Sequence, residues 1–111
     1  MPSYMFSFRL PSDFTQSPEG REAWNEFFGG ISPHLEELGN PIFSRQSVGE
    51  TGADTVLGGY SLITAATLDE ACVLAAGCPL INNGGGVEVG EITPLAEEVV
   101  ASRMAGASAR A

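Results

Sequence analysis

The spacing of the apolar side chains changes repeatedly along this chain, and that alternation limits the folds open to it. From Tyr4 to Leu10 the residues alternate: Tyr4, Phe6, Phe8 and Leu10 point one way, Met5, Ser7 and Arg9 the other. That is the period of a β-strand. Ser17-Pro18 then offers an N-cap followed by proline at the first helical position, and Glu19 suits the positive end of the helix dipole. Beyond it Trp24, Phe27, Phe28, Ile31, Leu35 and Leu38 recur at helical spacing, as one apolar stripe. Gly29-Gly30 and Pro33 interrupt the stripe, which predicts a kink or break near Gly30. Gly39-Asn40-Pro41 reads as the end of this element.

A weaker alternation over residues 42–48 predicts a second strand, and residues 49–54 a polar turn. Val56 to Thr64 reads as a third strand, with Gly58-Gly59 marking a bulge or close backbone packing. Thr67-Leu-Asp-Glu70 fits a capping box, and Leu68, Ala71, Cys72 and Ala75 form the stripe expected to be buried on the helix it opens. Gly77 before Cys78-Pro79 stops that helix, residues 82–86 form a loop, and Val87 to Ile92 a fourth strand. The order β-α-β-β-α-β predicts an α+β, ferredoxin-like fold: a four-stranded antiparallel sheet with two helices on one face. The other face is then uncovered, yet its strands are apolar on both sides, as Met5 and Ile63 illustrate. An exposed apolar sheet face marks an interface, so a homodimer packed sheet to sheet is expected. Residues 1–95 form the domain; 96–111 are an Ala- and Ser-rich tail, with a short helix expected over 95–104.

Composition excludes several chemistries. The chain has 111 residues and a formal charge of −9, from 14 Asp and Glu against 5 basic residues. All the basic residues are arginine. Without lysine there is no Schiff-base chemistry and no Walker P-loop. A polyanion would be repelled, so nucleic acid is not an expected partner. No apolar run approaches the length that spans a bilayer, and no basic segment precedes the first apolar stretch as in a signal peptide. Cys72 and Cys78, six apart, lie about 9 Å from each other along a helix, beyond disulfide reach. Buried free thiols and a reducing cytoplasm are expected. One histidine and two cysteines match no zinc spacing, and no cofactor is implied.

The segments Gly58-Gly-Tyr-Ser-Leu-Ile63, Thr67-Leu-Asp-Glu-Ala71, Gly77-Cys-Pro79 and Gly85-Gly-Val-Glu-Val89, with Glu91-Ile92 and Pro94 after them, resemble the YCII-related proteins, also called DGPF-domain proteins. The resemblance runs from about residue 4 to 95, and the order and spacing of the motifs carry it. It implies a ferredoxin-like fold in a dimeric α/β barrel, with a cleft between the sheet and neighbouring elements. It further implies a His–Asp pair in that cleft, and Ser32-Pro-His-Leu35 makes His34 the matching histidine. The aspartate position is Cys78 here, and no Asp-Gly-Pro-Phe stands between Gly49 and Gly59.

His34 is the one side chain whose ordinary pKa lies near neutrality. On a continuous helix it falls about 80° from Trp24, at the margin of the stripe beside Phe27 and Leu38. It is the candidate acid or base, against the plainer role of a structural histidine. Asp69, Glu70 and Glu88 are the carboxylates available to orient it, none placed by spacing. Arg9, Glu88 and Tyr60 are the candidate ligand-binding residues: Arg9 and Glu88 lie on neighbouring strands and can form an ion pair or hold an anionic group. Arg21 reads as a solvated helix residue, and Cys78 as a packing thiol beside a helix C-terminus. Gly84-Gly85-Gly86 follows a helix and enters a strand, the reverse of a phosphate-binding loop, and reads as a turn. Two functions follow as expectations. One is a small enzyme acting on a small organic molecule by acid–base chemistry at His34 in the dimer cleft. The alternative is a non-catalytic ligand-binding or accessory dimer.

Overall fold

A computed structural model of the chain describes residues 1–52 and 54–95. The elements are β1 (Ser3–Pro11), α1 (Pro18–Ile31), β2 (Leu35–Pro41), β3 (Thr55–Thr64), α2 (Leu68–Ala75) and β4 (Gly86–Glu91), with a 3₁₀ turn at Ser32–His34. The strands form one 4-stranded sheet in the order β2-β3-β1-β4, every neighbouring pair antiparallel. This is the ferredoxin-like α+β arrangement that the order of periods predicts. The helix expected over 95–104 falls, beyond Leu95, outside the described residues.

Side-chain alternation on β1 sets the two faces. Tyr4, Phe6 and Phe8 are buried and pack with Phe27 and Ile31 of α1, Ala71 and Ala75 of α2, and Ile63 of β3. Both helices therefore cover one face. Tyr4 stands opposite Ile63, which places Ile63 in the core, whereas Met5 stands opposite Leu62 on the face left open. Phe8 is the hub of the aromatic packing. Its ring centroid lies 5.1 Å from that of Trp24, 6.1 Å from Phe28 and 6.4 Å from Phe27, each edge-on.

Both helix starts follow their sequence signals. Ser17 accepts the Gly20 N–H at 3.0 Å, with Pro18 opening α1. Thr67 Oγ1 accepts the Glu70 N–H at 3.1 Å, and the Glu70 carboxylate reaches back to the Ala66 N–H at 3.4 Å.

Two elements differ from the sequence reading. The first helix does not run on to Gly39. Pro33 has no N–H to continue the ladder, so α1 stops at Ile31 and the turn tightens to 3₁₀ before Leu35 extends. Leu35 and Leu38 thus belong to a strand, and their helical spacing from Trp24 is coincidental. The second strand accordingly occupies Leu35–Pro41 rather than 42–48. Within 42–48, Ile42 donates one backbone bond to Gly58 at 3.1 Å, while Phe43 is 86% exposed. The second correction concerns α2. Ala71 and Ala75 are buried, but Leu68 and Cys72 are exposed. A helix of 8 residues seated through two alanines on a sheet buries a narrow strip, so the flanking positions stay in solvent.

Candidate functional site

His34 sits in the 3₁₀ turn that ends α1, not on the helical stripe beside Leu38. Its Nδ1 lies 3.0 Å from the Thr64 carbonyl oxygen. A carbonyl only accepts, so Nδ1 carries the proton of this bond, and the neutral ring keeps its lone pair on Nε2. Glu70 Oε1 lies 3.8 Å from the same Nδ1, and the two side chains are 30% and 40% exposed. That distance is too long for a hydrogen bond, so the Thr64 carbonyl is the one hydrogen-bond partner of the ring among the described residues. Thr64 is fixed in turn, its hydroxyl donating to the His34 carbonyl at 3.4 Å. Of the three carboxylates available in sequence, the fold brings Glu70 to the histidine. It does so because α2 begins just after β3 and the Glu70 carboxylate turns back over its cap to the Ala66 N–H. Nearby, the Tyr4 hydroxyl donates to Glu91 at 3.3 Å. Burial, with the Glu91 carboxylate second, pushes the Tyr4 phenol above its ordinary pKa.

Arg9, Tyr60 and Glu88 share the open face. Ser7 on β1 stands between Tyr60 on β3 and Glu88 on β4, and Asn40 on β2 extends the row, donating to the Tyr60 hydroxyl at 3.1 Å. Arg9 does not pair with Glu88. Its guanidinium donates to Thr55 instead, from Nε to the hydroxyl at 3.2 Å and from Nη2 to the carbonyl at 2.9 Å. The register of β1 on β3 also shifts between Phe8 and Arg9.

A cleft lies farther along the sheet; of the predicted site residues it includes Tyr60, together with its partner Asn40, but neither Arg9 nor Glu88. Its volume is about 770 Å³, and it opens between α1, the segment after β2, and the ends of β1 and β3 near Leu10 and Gly58. Phe8, Trp24 and Phe28 line it, as do the more exposed Phe14 and Phe43. Trp24 and Phe28 stack at 5.6 Å with an interplanar angle of 27°. Arg21 and Arg45 also line it, Arg21 from the exposed side of α1, where it is the solvated helix residue expected. The signal was present in the sequence: Arg21, Trp24 and Phe28 stand at i, i+3 and i+7, on one side of α1. His34 is not among the cleft residues. Gly59 lines the cleft, and Thr64, which holds His34, lies five residues farther along β3. At ~3.3 Å per residue the two places are roughly 17 Å apart.

Both cysteines are free, but only Cys78 is buried. Burial pushes its thiol up to about 11, with the Leu80 backbone N–H pulling weakly the other way. At neutral pH a maleimide is therefore expected to label one thiol per native chain, Cys72, and both after denaturation. Rapid native labelling of Cys78 would contradict this burial. Gly84-Gly85-Gly86 forms a turn and the first residue of β4, with Gly84 at φ +85°. Among the described residues no three His, Cys, Asp or Glu side chains are grouped as a metal ion requires, and no helix is long and apolar enough to cross a membrane.

No family model matches the chain, and no curated protein matches it. Among solved structures it is similar to 5-chloro-2-hydroxyhydroquinone dehydrochlorinase (TftG) from Burkholderia phenoliruptrix AC1100, in complex with 2,5-dihydroxybenzoquinone. The match covers 84% of this chain and 94% of that chain, at 15% identity and a TM-score of 0.58. At that identity the likeness establishes one thing: the two chains share a fold.

Proposed function

We propose that the protein is an enzyme of the YCII-related kind, acting on a small organic molecule by acid–base chemistry at His34, as a homodimer joined through the open sheet faces. The observation that carries this reading is the ring of His34, held by the Thr64 carbonyl at 3.0 Å with the Glu70 carboxylate 3.8 Å away. A general base needs a group that fixes its tautomer and a charge that stabilises its protonated form. Thr64 supplies the first, and Glu70 is the carboxylate that stands nearest the ring among the described residues. Nε2 then takes a proton from the substrate and returns it to the leaving group or to water. The fold is shared with a dehydrochlorinase, and elimination is a reaction that a single well-oriented base promotes. The dimer is supported by the open face, where Met5 is 41% exposed opposite Leu62.

The test begins with 5-chloro-2-hydroxyhydroquinone and related hydroxylated, halogenated rings, following halide release. With a turned-over substrate in hand, His34→Ala is expected to lower kcat by about 10²–10⁴-fold, the usual contribution of a positioned acid or base. Glu70→Gln, which keeps the shape and removes the charge, is expected to lower it by about tenfold. Turnover that survives His34→Ala would remove the histidine from the reaction. In sedimentation equilibrium the protein is expected at twice its 11.6 kDa chain mass, and a monomer at micromolar concentration would remove the dimer.

A further inference from the structure

The cleft beside α1 has a charge pattern that composition alone makes improbable. The chain carries 14 Asp and Glu against 5 Arg, yet two arginines, Arg21 and Arg45, line the cleft, and among the described residues no carboxylate does. Arg9, which faces the other side of the sheet, is engaged with Thr55. Among the described residues neither Arg21 nor Arg45 has an ion-pair partner. A guanidinium offers planar, paired donors that match a carboxylate. The same cleft is lined by an aromatic wall: the stacked pair of Trp24 and Phe28, with Phe8 edge-on to both. Such a wall receives a planar ring through offset stacking and edge contacts. The volume, about 770 Å³, is that of a small-molecule site.

We infer that this cleft binds a planar aromatic carboxylate, its ring against Trp24 and Phe28 and its anionic group between Arg21 and Arg45. The site is separate from His34 and does not depend on catalysis there. Glycine at position 39 lets the cleft wall close on β3, because a Cβ there would run into the Tyr60 carbonyl. The arginines select the charge and the aromatic wall selects the ring. A compound with only one of these features binds more weakly.

The chain has a single tryptophan, so the indole N–H cross-peak of Trp24 in a ¹⁵N–¹H spectrum reports on the cleft without assignment ambiguity. The probe is 2-naphthoate, with its neutral amide, 2-naphthamide, as the comparison. The acid is expected to shift the Trp24 peak in a saturable way and to bind about tenfold more tightly than the amide. The double variant Arg21→Gln with Arg45→Gln is expected to abolish that preference and leave amide binding within a factor of two. Both arginines are exposed, so the variant keeps its fold, which the remaining cross-peaks verify. Equal affinity for acid and amide in the native chain would overturn the inference. So would the absence of any Trp24 shift at millimolar acid, including the case in which a second copy or residues 96–111 fill the cleft. His34→Ala is expected to leave acid binding intact, so failure of the catalytic reading and failure of this one are distinguishable.

Discussion

Phe8→Ala is expected to lower the unfolding free energy by about 4 kcal/mol. Phe8 is 5% exposed, and its ring meets those of Phe6, Trp24, Phe27 and Phe28. Truncating a buried phenylalanine removes its transfer free energy and leaves a cavity, together about 3–5 kcal/mol. The hole would not collapse easily here. Its walls are rigid rings on two different elements, which places the loss in the middle of that range rather than at its lower end. A domain of this size holds about 5–15 kcal/mol in total, so the variant retains a small margin at best. Urea unfolding followed by Trp24 fluorescence reads the change as a lower midpoint at unchanged slope. A loss below about 2 kcal/mol would show that the aromatic cluster relaxes around the hole. Phe43→Ala is the contrast: at 86% exposure it is expected to stay within about 0.5 kcal/mol of the native chain.

Gly39→Ala is expected to cost about 3 kcal/mol or more, although it adds a single methyl group. Gly39 has φ +80°, which an L-residue adopts only under strain of about 1–2 kcal/mol. The added Cβ would also run into the Tyr60 carbonyl, and backbone cannot swing aside as a side-chain tip can. The register of β2 on β3 already shifts between Glu37 and Asn40, so the pairing there has little slack. Local release of the β2 edge is the outcome, visible as faster amide exchange in the β2–β3 pairing around Tyr60 together with a lower unfolding midpoint. Gly29→Ala serves as the control. A Cβ at Gly29 meets nothing within 4 Å, and the position lies inside α1. That change is expected to stabilise by about 0.5–1 kcal/mol through helix propensity and a less flexible unfolded chain. If both glycine variants behaved alike, the close approach of Gly39 to β3 would not be what constrains it.

Much of the fold was legible because its determinants are local. Alternation in residues 4–10, the Ser17-Pro18 cap and the Thr67–Glu70 box each act within a few residues, and the structure realises all three. The error at Leu35 and Leu38 shows where local reasoning stops. Apolar spacing from Trp24 fits a helix through both leucines, but periodicity carries no information about where a hydrogen-bond ladder is interrupted. Pro33 supplied that interruption, and pairing with β3 then rewarded an extended Leu35–Pro41. Burial on α2 was misjudged for a related reason. A stripe of small and apolar residues says which side faces the sheet, not how wide the contact is, and two alanines sufficed.

The amino-acid sequence by itself determined the order of strands and helices, the ferredoxin-like topology, the absence of lysine chemistry, and His34 as the one near-neutral titratable group. Those follow from chain periodicity, from short-range capping and from simple counts. Only the tertiary structure decided which carboxylate meets His34, since Glu70 is 36 residues away (70 − 34) and arrives by the packing of α2. The same holds for the cleft, whose lining comes from the end of β1, from α1, from the segment after β2 and from β3. Side chains far apart in the chain are brought together by strand register and helix seating. Both are set by the whole core at once, so no short stretch of sequence records them.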